Sequence, residues 1–525
     1  MEKNASDHRE YEANSLKNVP TIQPMPEGLK SEAGVVLDIS GKTDSSLKLA
    51  EDGHTILLPQ PTDDPNDPLN WSWRKKHAIL FIVAWGALCA DFTSAAGTAV
   101  IFLQAEEWQI SIFDANQPNA LNVLFMALGG LIWVPMTSFF GRAPTLWWST
   151  VGGFVFCIAS AVSPNFSTHY AMRCLTGLFI TSGQTIALAF IKDLFYFHER
   201  ARKIGLWAAL YISSPYLGPL FANFMVATLG DWRPVFWLCA GVCGLQMLLI
   251  LLFLDETWYN RDLHSSSHPA RPGTLSGRIS RIIGIWELRH HKTYYEPILV
   301  SFRRFALTIT KPALILILIS YLLIFMWSIG INITTAILFA TPAQFGGYGY
   351  SSLGLGYLYF TPIVATLLGE IFGHFFNDFL ARRYTRRHKG VFEPEARLPI
   401  IYVAGVFLVP GLVLAGQALY RRLHVSALIF GWGMYMFGIM CTSVSVSSYV
   451  LDAYPTRPAE VAGWTNFARA IGGFGVGYFQ QPWGQAIGYD ASFGVQAAIT
   501  GVAVLAVVGV QRYGRGLRIR AGPID

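Results

Sequence analysis

The chain has 525 residues, of which 52% are hydrophobic and only 14% charged, with a formal net charge of +6. An average soluble domain carries roughly 25% charged residues, so this composition excludes a water-soluble globular protein of the same length. A membrane protein remains, and the apolar residues fall in blocks of the length that a bilayer requires.

Residues 1–76 come first. They are polar, rich in Asp, Asn, Pro, Ser and Lys, and are expected to form a disordered tail. No short apolar region with a small-residue cleavage site occurs there, so no secretory signal peptide is expected and the first span serves as the targeting signal.

From residue 77 onward, apolar blocks of about 20 residues recur, enough to cross a bilayer core of about 30 Å at about 1.5 Å per residue. About twelve are predicted, near 77–103, 117–139, 144–163, 167–191, 203–228, 233–254, 312–338, 351–377, 399–420, 424–450, 459–481 and 491–511. In lipid every backbone polar group must be satisfied internally, so the blocks are read as helices. The short alternating segments of a barrel are missing. The predicted fold class is therefore an all-α polytopic membrane protein of two six-helix halves. The halves are 77–254 and 312–511, with a hydrophilic linker at 255–311 and a tail at 512–525. Two six-helix halves joined in this way are the layout of a duplicated transporter.

Lys and Arg concentrate in the N-terminal tail, the even-numbered gaps between spans and the C-terminal tail. The odd-numbered gaps hold only Arg233, Arg421 and Arg422. By the positive-inside rule both termini and the linker face the cytoplasm. The basic run that begins at Arg382, after span eight, then faces anionic lipid headgroups. The six cysteines lie in or beside apolar spans without a CxxC pair, as expected of small packing residues. No GxxxxGK[ST] loop, HExxH motif, serine elbow or metal cluster occurs, so neither ATP binding nor enzyme chemistry is indicated and no cofactor is expected. The run "GGFGVG" at 472–477 lies inside an apolar span with no strand before it and reads as close helix packing.

Several stretches, taken in order, carry a resemblance. "LPQPTDDPNDPLNW" precedes span one; "GGLIWVPMTSFFGRAP" leads from span two to span three; "MRCLTG" is in span four. "ERARKIGLW" leads into span five and "YLGPL" lies in it, and "GEIFGHFFND" with "RRHKGVFEPEARL" forms the end of span eight and the loop that follows. Together they resemble the major facilitator superfamily, in particular its fungal twelve-span drug:proton antiporter-like branch, from about Pro59 to the last span. The resemblance implies a plasma-membrane transporter that moves a small organic compound with protons, chiefly as a monomer and without nucleic-acid partners. Two departures stand out. Ser138-Phe139 occupies the place of the family's Asp-Arg pair, which argues against the standard gating ion pair in the N-terminal half. The Gly-Pro motif continues as "GPLFAN", without its trailing Gly-Gly.

A charged side chain at mid-bilayer costs at least roughly 2.5–3.5 kcal/mol on insertion scales, so each one needs a reason. Asp91 lies about 14 residues into span one, roughly 20 Å deep. It is read as a proton-coupling carboxyl or a structural ion-pair partner. Arg173 matches the family's fourth-span arginine. It stays charged, so its expected role is to tune a carboxylate or hold an anionic group. Glu370, His374 and Asp378 share one face of span eight. Glu370 and His374 are proton-coupling candidates, with pairing between halves as the other reading of Glu370. In the family layout span eight meets span five, which places Asp378 near Arg202 and Lys203 as a lock between halves. Arg142, Arg382 and Arg469 are the further gating candidates, and no partner for Arg469 is evident. Gln184, Asn332, Trp327 and Tyr211 are substrate-binding candidates, with Asn122, Gln344, Gln480 and Gln481 as lesser ones. The leading function is proton-coupled export of a drug-like or secondary-metabolite compound. Proton-coupled uptake is the alternative, and a non-transporting receptor is a distant third.

Overall fold

The computed structural model describes residues 30–31, 34–36, 48–49, 57–261, 263, 267–342, 348–388, 391–455 and 457–522. Most of the tail expected to be disordered, and Gln344, lie outside the described residues. Two described pieces of the tail form strands β1 (Lys30–Ser31) and β2 (Gly34–Val36), and β2 pairs antiparallel with β3 (Val391–Phe392), which follows span eight.

Twelve long helical segments dominate the described residues. The first six are span one (Trp73–Ala96), span two (Ile112–Phe140), span three (Arg142–Ala161), span four (Phe166–Leu194), span five (Phe197–Leu229) and span six (Arg233–Phe253). The second six are span seven (Pro312–Ala340), span eight (Ser352–Arg387), span nine (Ile400–Tyr420), span ten (Val425–Ala453), span eleven (Pro458–Ile487) and span twelve (Tyr489–Ala521). Several starts are set by local chemistry: the side chains of Ser72, Ser111 and Asn165 each accept a free backbone N–H of the first turn. Among the described residues, nine of the helices are long and apolar enough to cross a membrane. Spans three, five and eleven have the length but a more polar composition. Their polar residues are largely turned inward, as with Ser149 and Thr150 in span three and Asn466 and Arg469 in span eleven.

Within the first six, span one packs on spans five and six, span two on span four, and span three on spans four and six. Within the second six, span seven packs on spans eleven and twelve, span eight on span ten, and span nine on spans ten and twelve. Two seams join the sets: span two lies on span eleven, and span five on span eight. Gly218 lets span five approach span one closely, since a Cβ there would collide with the Phe92 carbonyl. Gly473 does the same for span eleven against Ile329 of span seven, the role expected for the "GGFGVG" run. All six cysteines are buried and free.

The beginning of span one and the end of span twelve lie at the same face of the bundle, called here the terminal face. Lys75 of span one meets Asp255 just past span six at 3.1 Å, and Lys311, just before span seven, donates to the carbonyls of Ala521 and Gly522. Three linker helices sit at this face, Leu275–Ile283, Ile285–Tyr294 and Ile298–Thr308. The segment before span one is tied there too. Asp67 caps the short turn Pro68–Asn70 and pairs with Arg261 at 2.9 Å, while Tyr259 donates to Asp64.

Candidate functional site

Midway along the helices, between the two six-helix sets, lies a cavity of about 60 Å³. Span one contributes Asp91 and Ser94, and the turn that follows it Thr98; span two contributes Asn119 and Val123; span five contributes Pro215 and Tyr216. From the other set, span seven contributes Phe325, Ser328 and Asn332, and span eleven contributes Arg469 and Gly473. The wall is mostly apolar, with a few convergent polar groups, the composition typical of a small-molecule site.

The strongest polar feature of the wall is an ion pair across the seam. Arg469 Nη1 sits 3.0 Å from Asp91 Oδ2, and both side chains are more than nine-tenths buried. The second nitrogen, Nη2, donates to Gln184 Oε1 at 3.0 Å and Asn466 Oδ1 at 3.1 Å. The guanidinium lies over the rings of Tyr211 and Phe325 at 4.7 and 5.3 Å. Burying two charges is tolerable only when they are paired and hydrogen-bonded; the pair and the contacts of Nη2 supply most of this, while Arg469 Nε stays buried without a partner. Asp91 is thus placed where its charge state decides whether Arg469 has a counterion.

Arg173 is buried one layer behind. It donates to the carbonyls of Thr93 and Ser94 at 2.8 and 2.7 Å and to Asn119 Oδ1 at 3.1 Å. It therefore grips the backbone of span one two and three residues beyond Asp91, and does not pair with the carboxylate itself. Asn122 in turn donates to the Arg173 carbonyl at 2.6 Å.

The seam between spans five and eight carries the span-eight stripe. Glu370 lies against Gly205 of span five, where any Cβ would collide with its carboxyl, and its Oε2 is buried without a partner. His374, one turn on, packs its ring edge against Phe375. Asp378 Oδ2 is 3.4 Å from Arg202 Nε and 3.9 Å from Arg382, with Arg202 about half exposed.

At the terminal face the other seam is bridged by a residue that sequence reasoning missed. Arg304, on the linker helix Ile298–Thr308, donates to Ser138 Oγ of span two at 3.1 Å and to Glu460 of span eleven at 3.2 Å, and also pairs with Glu296. Beside it, Phe305 stacks on Trp464 of span eleven at 5.0 Å, and the Trp464 indole donates to the Phe305 carbonyl. Ser138 stands where an acidic residue was absent from the motif, and the cation that reaches it comes from the linker. Arg142 joins Asp193 at 2.8 Å inside its own set, as Arg397 joins Asp452 in the other, so Arg142 does not bridge the seam. On the opposite face, Phe224 of span five meets Tyr357 and Phe360 of span eight, and Phe113 meets Tyr478.

Of the four substrate-binding candidates, Asn332 lines the cavity, where it accepts from Tyr359 at 2.8 Å. Gln184 and Tyr211 sit just behind it, Gln184 on Arg469 and Tyr211 on both Arg469 and Asn466. Trp327 faces Phe479 and Trp483 and does not line the cavity. Ser94 and Thr98 belong to the small, polar run "FTSAAGTA" after Asp91, whose composition suits a cavity wall, whereas Asn119, Ser328 and Phe325 were not singled out in the sequence. Ser and Thr within an apolar span are too common to signal a site without knowing which face they occupy. Gln480 is used in a hydrogen bond from Gln496 at 3.0 Å.

Two packed six-helix sets around a central, ion-paired cavity define a transporter of the two-half type. Residues 81–477 match the model of the Major Facilitator Superfamily, and the chain belongs to that family. It is a multi-pass membrane transporter, not an enzyme. It is similar to "MFS-type transporter oryN" of Aspergillus oryzae, 26% identical over 452 residues, covering 84% of each chain. It is also similar to "Major facilitator superfamily multidrug transporter mdrA" of Aspergillus fumigatus, 25% identical over 431 residues, covering 81% of this chain and 68% of that one. Among solved structures, the Escherichia coli xylose transporter XylE in a partially occluded inward-open conformation superposes with a TM-score of 0.57 at 14% identity, over 83% of this chain and 99% of that one. That likeness establishes the fold.

Proposed function

We propose that this transporter exports a small amphipathic organic compound in exchange for protons, with Asp91 as the main proton-linked carboxyl. The observation that carries the reading is the Asp91–Arg469 pair, which spans the two sets at the wall of the cavity. Protonating Asp91 would release Arg469 and weaken the tie between spans one and eleven. A bound substrate would compete for the same groups. Proton and substrate are then linked through one equilibrium, because each shifts the population that the other binds. The aromatic and aliphatic wall, with Asn332 and Ser328 as hydrogen-bonding groups, suits an amphipathic compound better than a sugar or a small ion. The names of the relatives, a multidrug transporter and efflux pumps from fungi, favour export. Glu370, half-buried with a partnerless oxygen, is the competing proton site. The terminal face is assigned to the cytoplasm on the distribution of Lys and Arg, and the plasma membrane is the proposed location. Arg304 and the Arg202–Asp378 pair would close the cytoplasmic side in this conformation.

The test is transport in sealed vesicles with an imposed pH gradient, screened over a panel of amphipathic metabolites. Accumulation against the proton gradient supports antiport. Accumulation along the proton gradient would replace export by proton-coupled uptake. Transport indifferent to the gradient would remove the proton altogether.

A further inference from the structure

Where span one begins and span six ends, a second cavity, of about 410 Å³, opens between these two helices and the linker helix Leu275–Ile283. It is remote from the central cavity and shares no lining residue with it. Its walls are of two kinds. Arg74, Lys75 and Arg278 supply cations, while Leu252 and Phe253 supply apolar surface. The single carboxylate, Asp255, is already committed, to Lys75 at 3.1 Å and to Arg281 at 3.0 Å. Arg74 is exposed and has no ion-pair partner among the described residues. Arg278 donates Nη2 to the Leu251 carbonyl, and its Nε is buried without a partner. Two guanidinium groups are therefore left without a counterion in one cavity.

The apolar side of the cavity faces outward. Leu252 and Phe253 are 50% and 53% exposed at the last turn of span six, and Trp73 beside Arg74 is 70% exposed. On a membrane protein such positions meet the bilayer, with Trp at the headgroup level. Arginine is the side chain best matched to phosphate oxygens, through its planar fork of donors. Basic cavities between helices at this depth hold anionic headgroups.

We propose that this cavity binds an anionic phospholipid, with the net negative charge of its headgroup held by Arg74 and Arg278 and the acyl chains lying along Leu252 and Phe253. A free phosphate would use the cations but gain nothing from the apolar flank. A lipid uses both, and it arrives in the plane of the membrane. The bound lipid would also tie the linker helix Leu275–Ile283 to spans one and six.

The proposal is tested on the full chain, solubilised in detergent and titrated with phosphatidylserine or phosphatidylcholine under native mass spectrometry. Phosphatidylserine should be retained and phosphatidylcholine lost. The pair Arg74→Gln with Arg278→Gln should weaken phosphatidylserine retention by on the order of tenfold or more, at about fivefold per surface cation. Arg74→Gln alone, at an exposed position that folding does not depend on, should account for part of that loss. Leu252→Gln with Phe253→Gln should weaken it with the cations intact. The pair Arg386→Gln with Arg387→Gln, two exposed arginines at the end of span eight, should leave it unchanged. Equal loss in that pair would mean diffuse surface charge and overturn the site. Displacement of the lipid by inorganic phosphate, with no effect of the apolar substitutions, would make it a free-anion site and overturn the lipid assignment.

Discussion

Asp91 and Arg469 are 378 positions apart in the chain and meet at 3.0 Å across the seam between the two six-helix sets. Span one supplies the carboxylate and span eleven the cation, so the strongest electrostatic contact of the central cavity is also a tie between the parts that must move. Such a contact can report proton occupancy to the whole molecule, because neither member has another charged partner among the described residues.

Asp91→Asn removes the titrating group while keeping its shape, and so imitates the protonated state. It leaves Arg469 with Gln184 and Asn466 but no counterion. Breaking a buried pair from one side costs roughly 3–5 kcal/mol, so a clear fall in melting temperature is expected. Substrate binding should survive in part, and pH-gradient-driven accumulation should be lost. Adding Arg469→Gln should restore much of the thermal stability and none of the coupling. Wild-type coupling in Asp91→Asn, together with its loss in Glu370→Gln, would move the proton site to span eight.

The two terminal-face contacts differ in burial, and burial decides their weight. Arg304 is about 4% exposed and reaches both span two and span eleven. Arg202 is 54% exposed, and its contact with Asp378 is long at 3.4 Å. Charge-assisted buried hydrogen bonds contribute about 1.5–3 kcal/mol, whereas exposed ion pairs contribute about 0.2–1 kcal/mol. Arg304→Ala should therefore open the terminal face more than Asp378→Ala does. Cross-linking between cysteines placed at Ser138 and Glu460 is not informative, since both positions take part. Cysteines at Val134 and Gly463, which face each other across the same seam, read the change directly. If Asp378→Ala opened the face as far as Arg304→Ala, the linker helix would lose its assigned part.

The helices were legible because a bilayer imposes a length and an apolar composition that survive in any order of residues. The depth of Asp91 could be counted from the start of its span. Its partner could not, because pairing depends on which helices touch, and nothing in the spacing of Arg469 points to span one. The same holds for Ser138. Its motif position marked a missing acid, and the compensating Arg304 lay in a hydrophilic linker that reads as a mere connection. Trp327 illustrates the opposite error: a large aromatic inside a span suggests a binding wall, yet its face is turned to Phe479 and Trp483.

Topology gives a prediction independent of mechanism. The linker helix that contains Ser276 lies at the face where span one begins, and Asp114 lies at the opposite face, near the start of span two. With the basic face inward, a cysteine at Ser276 should resist a membrane-impermeant thiol reagent applied to intact cells, and one at Asp114 should react. The native cysteines are all buried, which keeps the background low. Labelling at Ser276 from outside would invert the orientation.

The linker also holds a carboxyl that should make stability depend on pH. Glu287 is fully buried in the helix Ile285–Tyr294, and neither of its oxygens has a hydrogen-bond partner. Burial, and next the nearby Glu256 carboxylate, push its pKa well above the ordinary 4.5, against the smaller opposing pull of Arg271 and Arg281. Tyr295, whose hydroxyl is pushed up first by burial and then by both carboxylates, stands nearby, with the His291 ring stacked against it. The raised value fixes the sign. The folded state binds the proton more tightly than the unfolded one, so this group's contribution is fully present below about pH 4.5 and is lost as the pH rises through the elevated value. Across neutral to alkaline pH the linker should therefore loosen. Glu287→Gln carries the shape of the protonated acid without its titration, and should flatten the alkaline fall in melting temperature. Limited proteolysis of the linker over the same pH series locates the change. An unchanged alkaline fall in Glu287→Gln would assign the pH dependence to another group.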